Sequence, residues 1–414
     1  MFSLELPMHI LYVDQHFKTP EEGGAIRSYY LAKGLVDAGH RVTMISAHSG
    51  AKYQKVFIDG IHVHYLPVLY STRMGRLSRT RAFLQFVWMA CRKGSLFQEV
   101  DVCYVTSTPL TVGFIGLYLQ RKYAIPFYVE VHEIESTSSL LAPTTSATPP
   151  QRLRARLEKQ ICRKAKALVA ISPGVKQHLQ TVAPRHLIHL IPNVADCRFF
   201  SRSERNAYHE RQFGVIDKFV VTYFGPLEPV HHLEYLLEAA RACQQKQLNE
   251  VQFLVVGEGS EREQLQAYAQ QAQLSNLQFV PHQNKYGLLS VLNITDAAYI
   301  SLDNHPALQS SSPTPFFEAL AAGKLCVTNV RGWIADLVEE NNCGFYASPH
   351  YPEDFVTQLA PFVTDRQRLD TYQANARSLG EQRFERAKQV DALLNSLGIP
   401  RSAHQKATAD TLPV

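Results

Sequence analysis

Short apolar runs rich in β-branched residues alternate along this chain with stretches of helical periodicity. His9–Val13 predicts a strand, Ile26–Ala38 a helix stopped by Gly39, and Val42–Ser46 a second strand. Val102–Thr106, Phe127–Val131, Ala167–Ile171 and Leu187–Ile191 continue the series. Strands alternating with helices of this length predict parallel βαβ units, hence an α/β fold. A polar segment, Ser201–Lys218, interrupts the pattern, which then restarts. Strand Phe219–Phe224, helix Leu233–Gln244 and strand Gln252–Val256 are followed by strands Gln278–Val280, Ala297–Ser301 and Leu325–Thr328. The last pattern, roughly Asp365–Leu397, is helical and charged, and Ser402–Val414 has the composition of a disordered tail. The expected domains are therefore 1–200, 201–375 and a terminal helix at 376–400, with 401–414 as tail. Two open α/β units make the cleft between them the expected binding site.

Composition agrees with a globular chain of this size. The 414 residues suit two or three domains, and 45% hydrophobic with 19% charged residues excludes disordered and collagenous classes. The net charge of +5 is too small for a dedicated nucleic-acid binder. It conceals an asymmetry, however. Residues 1–200 hold 24 Lys and Arg against 13 Asp and Glu, a net of +11; the remainder holds 18 against 24, a net of −6. No acidic residue occurs from Gly60 through Gln98, where Arg73, Arg76, Arg79, Arg81, Arg92 and Lys93 are interleaved with Phe83, Leu84, Phe86 and Trp88. A second cluster runs from Arg152 to Lys166 around a single acid, Glu158. A basic amphipathic segment with Trp and Phe suits an anionic membrane surface or a lipid-phosphate substrate, so Arg73, Arg76, Arg79, Arg81 and Trp88 are the expected acceptor and membrane residues.

Seven cysteines in no CxxC pairing predict buried thiols in a reducing compartment. MFSLELPMHIL lacks the basic and long apolar regions of a signal peptide. The most membrane-like stretch, Val102–Gln120, is broken by Thr106, Ser107, Thr108, Pro109 and Thr111. It predicts a strand, a Thr108 cap with Pro109 opening a helix, and then a buried helix. The expectation is a cytoplasmic protein without a membrane span, peripheral at the inner face of the membrane.

Four motifs carry candidate chemistry. Pro20-Glu21-Glu22-Gly23-Gly24 lies between the first strand and helix, where glycines let a ligand approach the backbone; it is not the G-x-G-x-x-G fingerprint of dinucleotide enzymes. Val129-Glu130-Val131-His132-Glu133 ends a strand, which places His132 and Glu133 where open α/β sheets bind ligands and suits them to proton transfer or to orienting a sugar hydroxyl. Phe224-Gly225-Pro226-Leu227-Glu228-Pro229-Val230-His231-His232 opens the second half. Two prolines without N–H and one carboxylate make it a poor phosphate cradle unless a histidine compensates. Ser310-Ser311-Ser312-Pro313-Thr314-Pro315-Phe316-Phe317-Glu318 reads as a hydroxyl-rich loop opening a helix. Glu318 there either accepts the hydrogens of a ribose diol or lies on the helix surface.

In order and spacing these motifs resemble family 4 glycosyltransferases of the GT-B fold, notably the bacterial sugar transferases of capsule and O-antigen assembly. HILYVDQHF, PEEGGAIRSYYLAKGLVDAGHRVTMI, ALVAISPGVKQHL, FLVVGEGSERE and SPTPFFEALAAGKLCV carry the likeness over residues 8–397. The resemblance implies two Rossmann-like domains facing a central cleft, acceptor on the first, nucleotide-sugar on the second, and a C-terminal helix crossing back to the first. It implies retaining transfer of a sugar, UDP-linked, to a polyprenyl-linked or other membrane-anchored glycan acceptor in cell-surface polysaccharide synthesis, with no metal and no cofactor. Carried over, Glu318 binds the donor ribose and Ser312, Pro313 and Thr314 approach the diphosphate. Gly225 and His231 line the phosphate site, Gly257 and Gly259 shape a neighbouring loop, Gly23 and Gly24 lie under the phosphates, and His132 stands near the reacting centre. The chain departs from the pattern at Ser310, where the family's second acid falls, and at Pro315, where a basic residue is common. Pro226 and His231 stand where Arg and Lys often hold the diphosphate. These departures also fit a catalytically weakened homologue that binds nucleotide-sugar or scaffolds an assembly complex. With His231 as the compensating cation, donor affinity is expected to improve below about pH 6.5.

Overall fold

The computed structural model describes residues 7–24, 26–69, 74–97, 99–107, 110–132 and 149–399. Glu133, Arg73, the Thr108–Pro109 cap and the tail at 401–414 lie outside them. The described residues divide into two compact units. Unit 1 takes 7–18, 26–192 and 387–399; unit 2 takes 19–24 and 193–386. The division thus falls at Pro192–Asn193, and the glycine loop after the first strand belongs to unit 2.

Unit 1 is built on an eight-stranded sheet. Its strands are β1 (His9–Val13), β2 (Arg41–His48), β3 (Gln54–Ile58), β4 (Ile61–Pro67), β5 (Val102–Ser107), β6 (Phe127–Val131), β7 (Ala167–Ala170) and β8 (Ile188–Leu190). They lie in the order β3-β4-β2-β1-β5-β6-β7-β8, all parallel except β3, which runs antiparallel to β4. The central strands are continuously apolar because helices cover both faces. One face carries α2 (Arg76–Gly94), α3 (Phe114–Tyr123), α4 (Pro149–Lys164) and α5 (Pro173–Val182), through Phe86, Ile115, Ile161 and Leu179. The other carries α1 (Arg27–Asp37) and the last helix, α14 (Arg386–Leu397), through Leu31, Leu35, Leu393 and Leu397.

The β3–β4 hairpin escapes the apolar-run reading because β3 is an exposed edge strand. Its signal is Asp59-Gly60, both at positive φ (48° and 90°), the pair favoured in two-residue hairpin turns. Between β5 and α3 the chain makes a 3₁₀ turn, Leu110–Gly113, before the helix proper begins.

Unit 2 carries six parallel strands in the order β11-β10-β9-β12-β13-β14. They are β9 (Phe219–Phe224), β10 (Val251–Val256), β11 (Leu277–Val280), β12 (Ala297–Ile300), β13 (Leu325–Thr328) and β14 (Gly344–Tyr346). Its helices are α6 (Ala207–Phe213), α7 (Glu234–Gln245), α8 (Arg262–Gln271), α9 (Lys285–Ile294), α10 (Thr314–Ala321), α11 (Trp333–Glu340), α12 (Pro352–Thr364) and α13 (Arg366–Leu379). Strand order reverses between β9 and β12, the position where open α/β sheets bind ligands. The polar segment 201–218 is structured rather than a simple linker. Asn206 caps α6 by accepting from the Tyr208 amide (2.8 Å), and Phe213 and Val215 enter the core. The charged terminal pattern splits into α13, a π turn at Gly380–Phe384, and α14. All seven cysteines are buried and free.

Candidate active site

In unit 1 the first cluster forms at the carboxyl end of β6. His132 follows the strand with 23% of its side chain exposed, and its Nε2 lies 2.5 Å from Glu130 Oε1. Glu130 itself is fully buried inside β6. Arg27, the first residue of α1, grips it with two donors, Nε at 3.0 Å and Nη2 at 2.8 Å, and the Tyr104 hydroxyl donates to it at 2.6 Å. Arg27 also donates to the carbonyls of Ile191 (2.8 Å) and Pro192. Burial alone would raise the Glu130 pKa, but the guanidinium and His132 outweigh it and hold the carboxyl well below the usual range. A permanent carboxylate against one ring nitrogen fixes the imidazole plane and leaves Nδ1 as the nitrogen available to a ligand.

Sequence reasoning selected His132 and its neighbour Glu133. Among the described residues, which do not include Glu133, the acid that touches the imidazole is Glu130, on the strand side. Its signal was a carboxylate inside an otherwise apolar strand, which requires a buried partner.

The glycine loop is a structural joint of unit 2. Thr19 O accepts from the amides of Glu22 and Gly23 (both 3.1 Å), and Gly23 and Gly24 take φ of 70° and 81°, where a side chain is strained. The loop meets the start of α9: the Lys285 amide donates to Pro20 O (3.3 Å), and a Cβ on Gly23 would stand 3.0 Å from Asn284 Cα.

The turns after β9 and β10 are zipped together by their backbones. Gly225 N donates to Val256 O (3.0 Å), Leu227 N to Glu258 O (2.9 Å) and Glu261 N to Leu227 O (3.0 Å). A Cβ on Gly257 would lie 1.9 Å from Gly225 O, so close backbone approach dictates that glycine. Gly259 likewise abuts Leu227 O. Glu228 bonds the Ser260 amide (3.3 Å) and hydroxyl (2.6 Å), so its charge is engaged in the neighbouring turn. His231 bridges the switch point, its Nδ1 3.2 Å from Ser301 O while Ser301 Oγ donates back to His231 O (2.7 Å). Burial pulls its pKa below the ordinary 6.5. This corrects the expected pH 6.5 window: protonation of His231 begins at lower pH, because the ring is held against Ser301 O and the Tyr223 ring rather than open to solvent.

The loop before α10 is held from both sides. The Trp333 indole donates to Ser311 O (2.7 Å) and the Asn193 amide to Ser312 O (2.5 Å). Among the described residues Ser312 Oγ is buried without a hydrogen-bond partner. Pro313 and Pro315 carry no amide hydrogen, so fewer donors face outward than at an ordinary helix start. One turn on, Glu318 keeps some exposure, yet the protein packed around its carboxyl pushes its pKa up to about 8; Lys285 opposes this and Asp196 adds to it. Lys285 is buried, pairs with Asp196 (2.6 Å) and lies 3.8 Å over the Phe199 ring. The cation that acts on Glu318 is thus already engaged. Among the described residues no group of three or more His, Cys, Asp or Glu side chains could hold a metal ion.

On the outer side of unit 1, α2 is amphipathic twice over. Ala82, Phe86 and Ala90 enter the core, while Leu77 (89% exposed), Leu84 and Trp88 (61%) form an outward stripe beside Arg81 and Arg92. Arg79 is half-buried, and the Arg92 guanidinium stacks 5.6 Å over Trp88. Both α2 and α4 pack against α3. In α4 the single acid, Glu158, is fully buried, whereas Arg152, Leu153, Arg156, Lys159 and Arg163 face solvent. No described helix is long and apolar enough to cross a membrane.

Two parallel α/β units, each with polar groups gathered at the carboxyl ends of its strands, define the GT-B class of transferases. Residues 22–194 match the model of the glycosyl transferase 4-like domain, and residues 205–379 that of glycosyl transferases group 1. A search of curated proteins finds no sequence match. Among solved structures, the fold is similar to sucrose-phosphate synthase from Thermosynechococcus elongatus (18% identity, 94% of this chain and 99% of that one, TM-score 0.76). It is similar to Anabaena HepE in complex with UDP and glucose (19%, 94% and 99%, 0.69). It also resembles WaaG, a glycosyltransferase involved in lipopolysaccharide biosynthesis (14%, 93% and 99%, 0.67). The chain belongs to the family 4 type of glycosyltransferases.

Proposed function

We propose that this enzyme is a retaining glycosyltransferase that moves a sugar from a UDP-linked donor to a membrane-anchored, polyprenyl-linked or glycan acceptor in cell-surface polysaccharide synthesis. It works at the inner face of the membrane without a cofactor. The observation that carries the acceptor half of this reading is the outward side of α2 and α4. There an apolar stripe of Leu77, Leu84 and Trp88 is bordered by arginines, and the acid of α4 is turned inward. The donor half is supported by the relatives crystallised with UDP or UDP-glucose and by Glu318 and Ser312 at the α10 start. In this reading His132, held by Glu130, orients a sugar hydroxyl through Nδ1, Glu318 accepts from the ribose, and Ser312 and Thr314 meet the diphosphate.

A second reading, a weakened homologue that binds nucleotide-sugar without turnover, is favoured by two observations. Lys285, the cation beside Glu318, is tied to Asp196, and Pro313 and Pro315 remove helix-start donors. The deciding experiment measures UDP release from a panel of UDP-sugars with vesicles carrying a polyprenyl-diphosphate sugar. Turnover that falls at least a hundredfold in His132→Ala, with donor Kd unchanged, supports the enzyme reading; donor binding without release supports the weakened one. Co-sedimentation with anionic but not neutral vesicles, lost in Arg81→Glu/Arg92→Glu and weakened in Trp88→Ser, tests the membrane half. Equal binding to both lipids would refute that half.

A further inference from the structure

Unit 2 contains a cavity of about 190 Å³ on the side of α10 opposite its serine-rich start. Eight residues of helix, roughly 12 Å at about 1.5 Å per residue, separate the two ends. The cavity lies between the chain at 201–209, the middle of α9 and the stop after α10, and its lining includes Ser201, Ser203, His209, Ser290, Asn293 and Lys324. It is smaller than the roughly 300–1,000 Å³ of sites for drug-sized ligands, which restricts it to a small occupant.

Lys324 gives the cavity its chemistry. The residue is only 8% exposed, and its backbone amide closes the end of α10 on Ala319 O (3.0 Å). Among the described residues no hydrogen-bond acceptor or ion-pair partner meets its ammonium, and Lys324 is among the residues that line the cavity. Neighbouring acids have other partners. Asp296 accepts from Arg205 (2.8 Å) and from the Val220 amide (2.8 Å), with Arg366 at 3.6 Å. Glu210 pairs with Arg205 (2.9 Å), and Asp370 with Arg202 (2.9 Å) and Arg366 (3.5 Å). Four cations therefore stand among three acids, and the cation without a direct partner is the buried one. Burial pulls the Lys324 pKa down to about 8; Asp296 opposes this, while Arg205, Arg202 and Arg366 reinforce it.

We propose that this cavity is a binding site for a small oxyanion such as phosphate, with the Lys324 ammonium as its ion-pair partner and the hydroxyls of Ser201 and Ser290 as further donors. An ammonium donates three hydrogen bonds and accepts none, so its complement must be an acceptor. A buried charge without a partner is costly, and an anion relieves both that cost and the repulsion from the three arginines. Neither serine hydroxyl has another partner among the described residues, and each can rotate to donate. Asn293 is committed to Ser203 Oγ (2.9 Å) and Glu204 O (2.8 Å), so it shapes the wall. The site is distinct from the serine loop and Glu318, and it stands whether or not the donor assignment holds.

The test titrates the full chain with inorganic phosphate at pH 7, against sodium chloride at matched ionic strength, and follows thermal unfolding and isothermal titration calorimetry. Saturable stabilisation is expected for the parent protein. Lys324→Met, which removes the charge while keeping the stem, should weaken phosphate binding at least tenfold, as for loss of one charge-assisted bond. Ser290→Leu fills the cavity without touching the lysine and should weaken it likewise, which keeps the question decidable if Lys324→Met does not fold. No saturable response in the parent protein, or equal phosphate affinity in the parent and a folded variant, overturns the proposal.

Discussion

Replacing Arg27 by Met probes the buried assembly under His132 without relying on any ligand. The substitution removes both charge-assisted bonds to Glu130, at 3.0 and 2.8 Å, and the bonds to Ile191 O and Pro192 O. It leaves a carboxylate inside β6 with the Tyr104 hydroxyl and His132 as partners. Breaking a buried pair in this way costs about 3–5 kcal/mol at pH 7. The pH dependence is more diagnostic than the size. In the parent chain the Glu130 pKa is depressed, so its stabilisation is complete above the unfolded value of about 4.5 and is lost only as pH falls toward the folded value. In Arg27→Met burial dominates and the pKa rises above 4.5. The native state then holds one proton more than the unfolded state, and stability falls by about 1.4 kcal/mol per pH unit as pH rises through that window. Urea unfolding at pH 5, 6 and 7 should therefore show the deficit growing with pH. Glu130→Gln in the same background should recover part of it. A deficit independent of pH, or a double variant that loses the sum of the two single costs, would falsify this account of the pair.

Two further outcomes follow from unit 2. With the Glu318 pKa at about 8, its ionised fraction rises from roughly 3% at pH 6.5 to roughly 75% at pH 8.5, so UDP-glucose affinity by calorimetry should improve about 25-fold over that range. Glu318→Gln should flatten the profile; a flat profile in the parent chain would remove Glu318 from the binding step. Gly257→Ala places a methyl 1.9 Å from the Gly225 carbonyl and should cost about 1–3 kcal/mol or more in chemical unfolding, through separation of the turns after β9 and β10. A variant of unchanged stability would mean that those turns have room to part.

The limits of sequence reading are instructive residue by residue. Most central strands were legible to within a residue or two, because a strand covered on both faces must be apolar throughout. β3, β4 and β14 were not: the first is an exposed edge, the second has its apolar run interrupted by His62 and His64, and the third is only three residues long. The motif around His132 was legible as chemistry, but the described carboxylate that meets its ring, Glu130, was not singled out; Glu133 lies outside the described residues. Adjacent residues on an extended chain point to opposite faces, and the side that holds the carboxylate depends on Arg27, 103 positions away from Glu130. Likewise the turn Gly225–His231 suggested a histidine free to supply charge, whereas Ser301, the residue after β12, holds its ring.

Local pattern by itself determined the two parallel α/β units, the glycine loop, the basic character of the first half and the hydroxyl-rich start of α10. Each follows from short-range rules: apolar period, turn chemistry, charge count and helix capping. Tertiary structure alone decided that residues 19–24 belong with unit 2, that the acid of α4 turns inward, that Glu130 is a permanent carboxylate, and that Lys324 lines a cavity with no acid of its own. The reason is common to all four. Burial and the partners of a charge are set by residues brought from distant parts of the chain, and these together fix the protonation state and reach of each group.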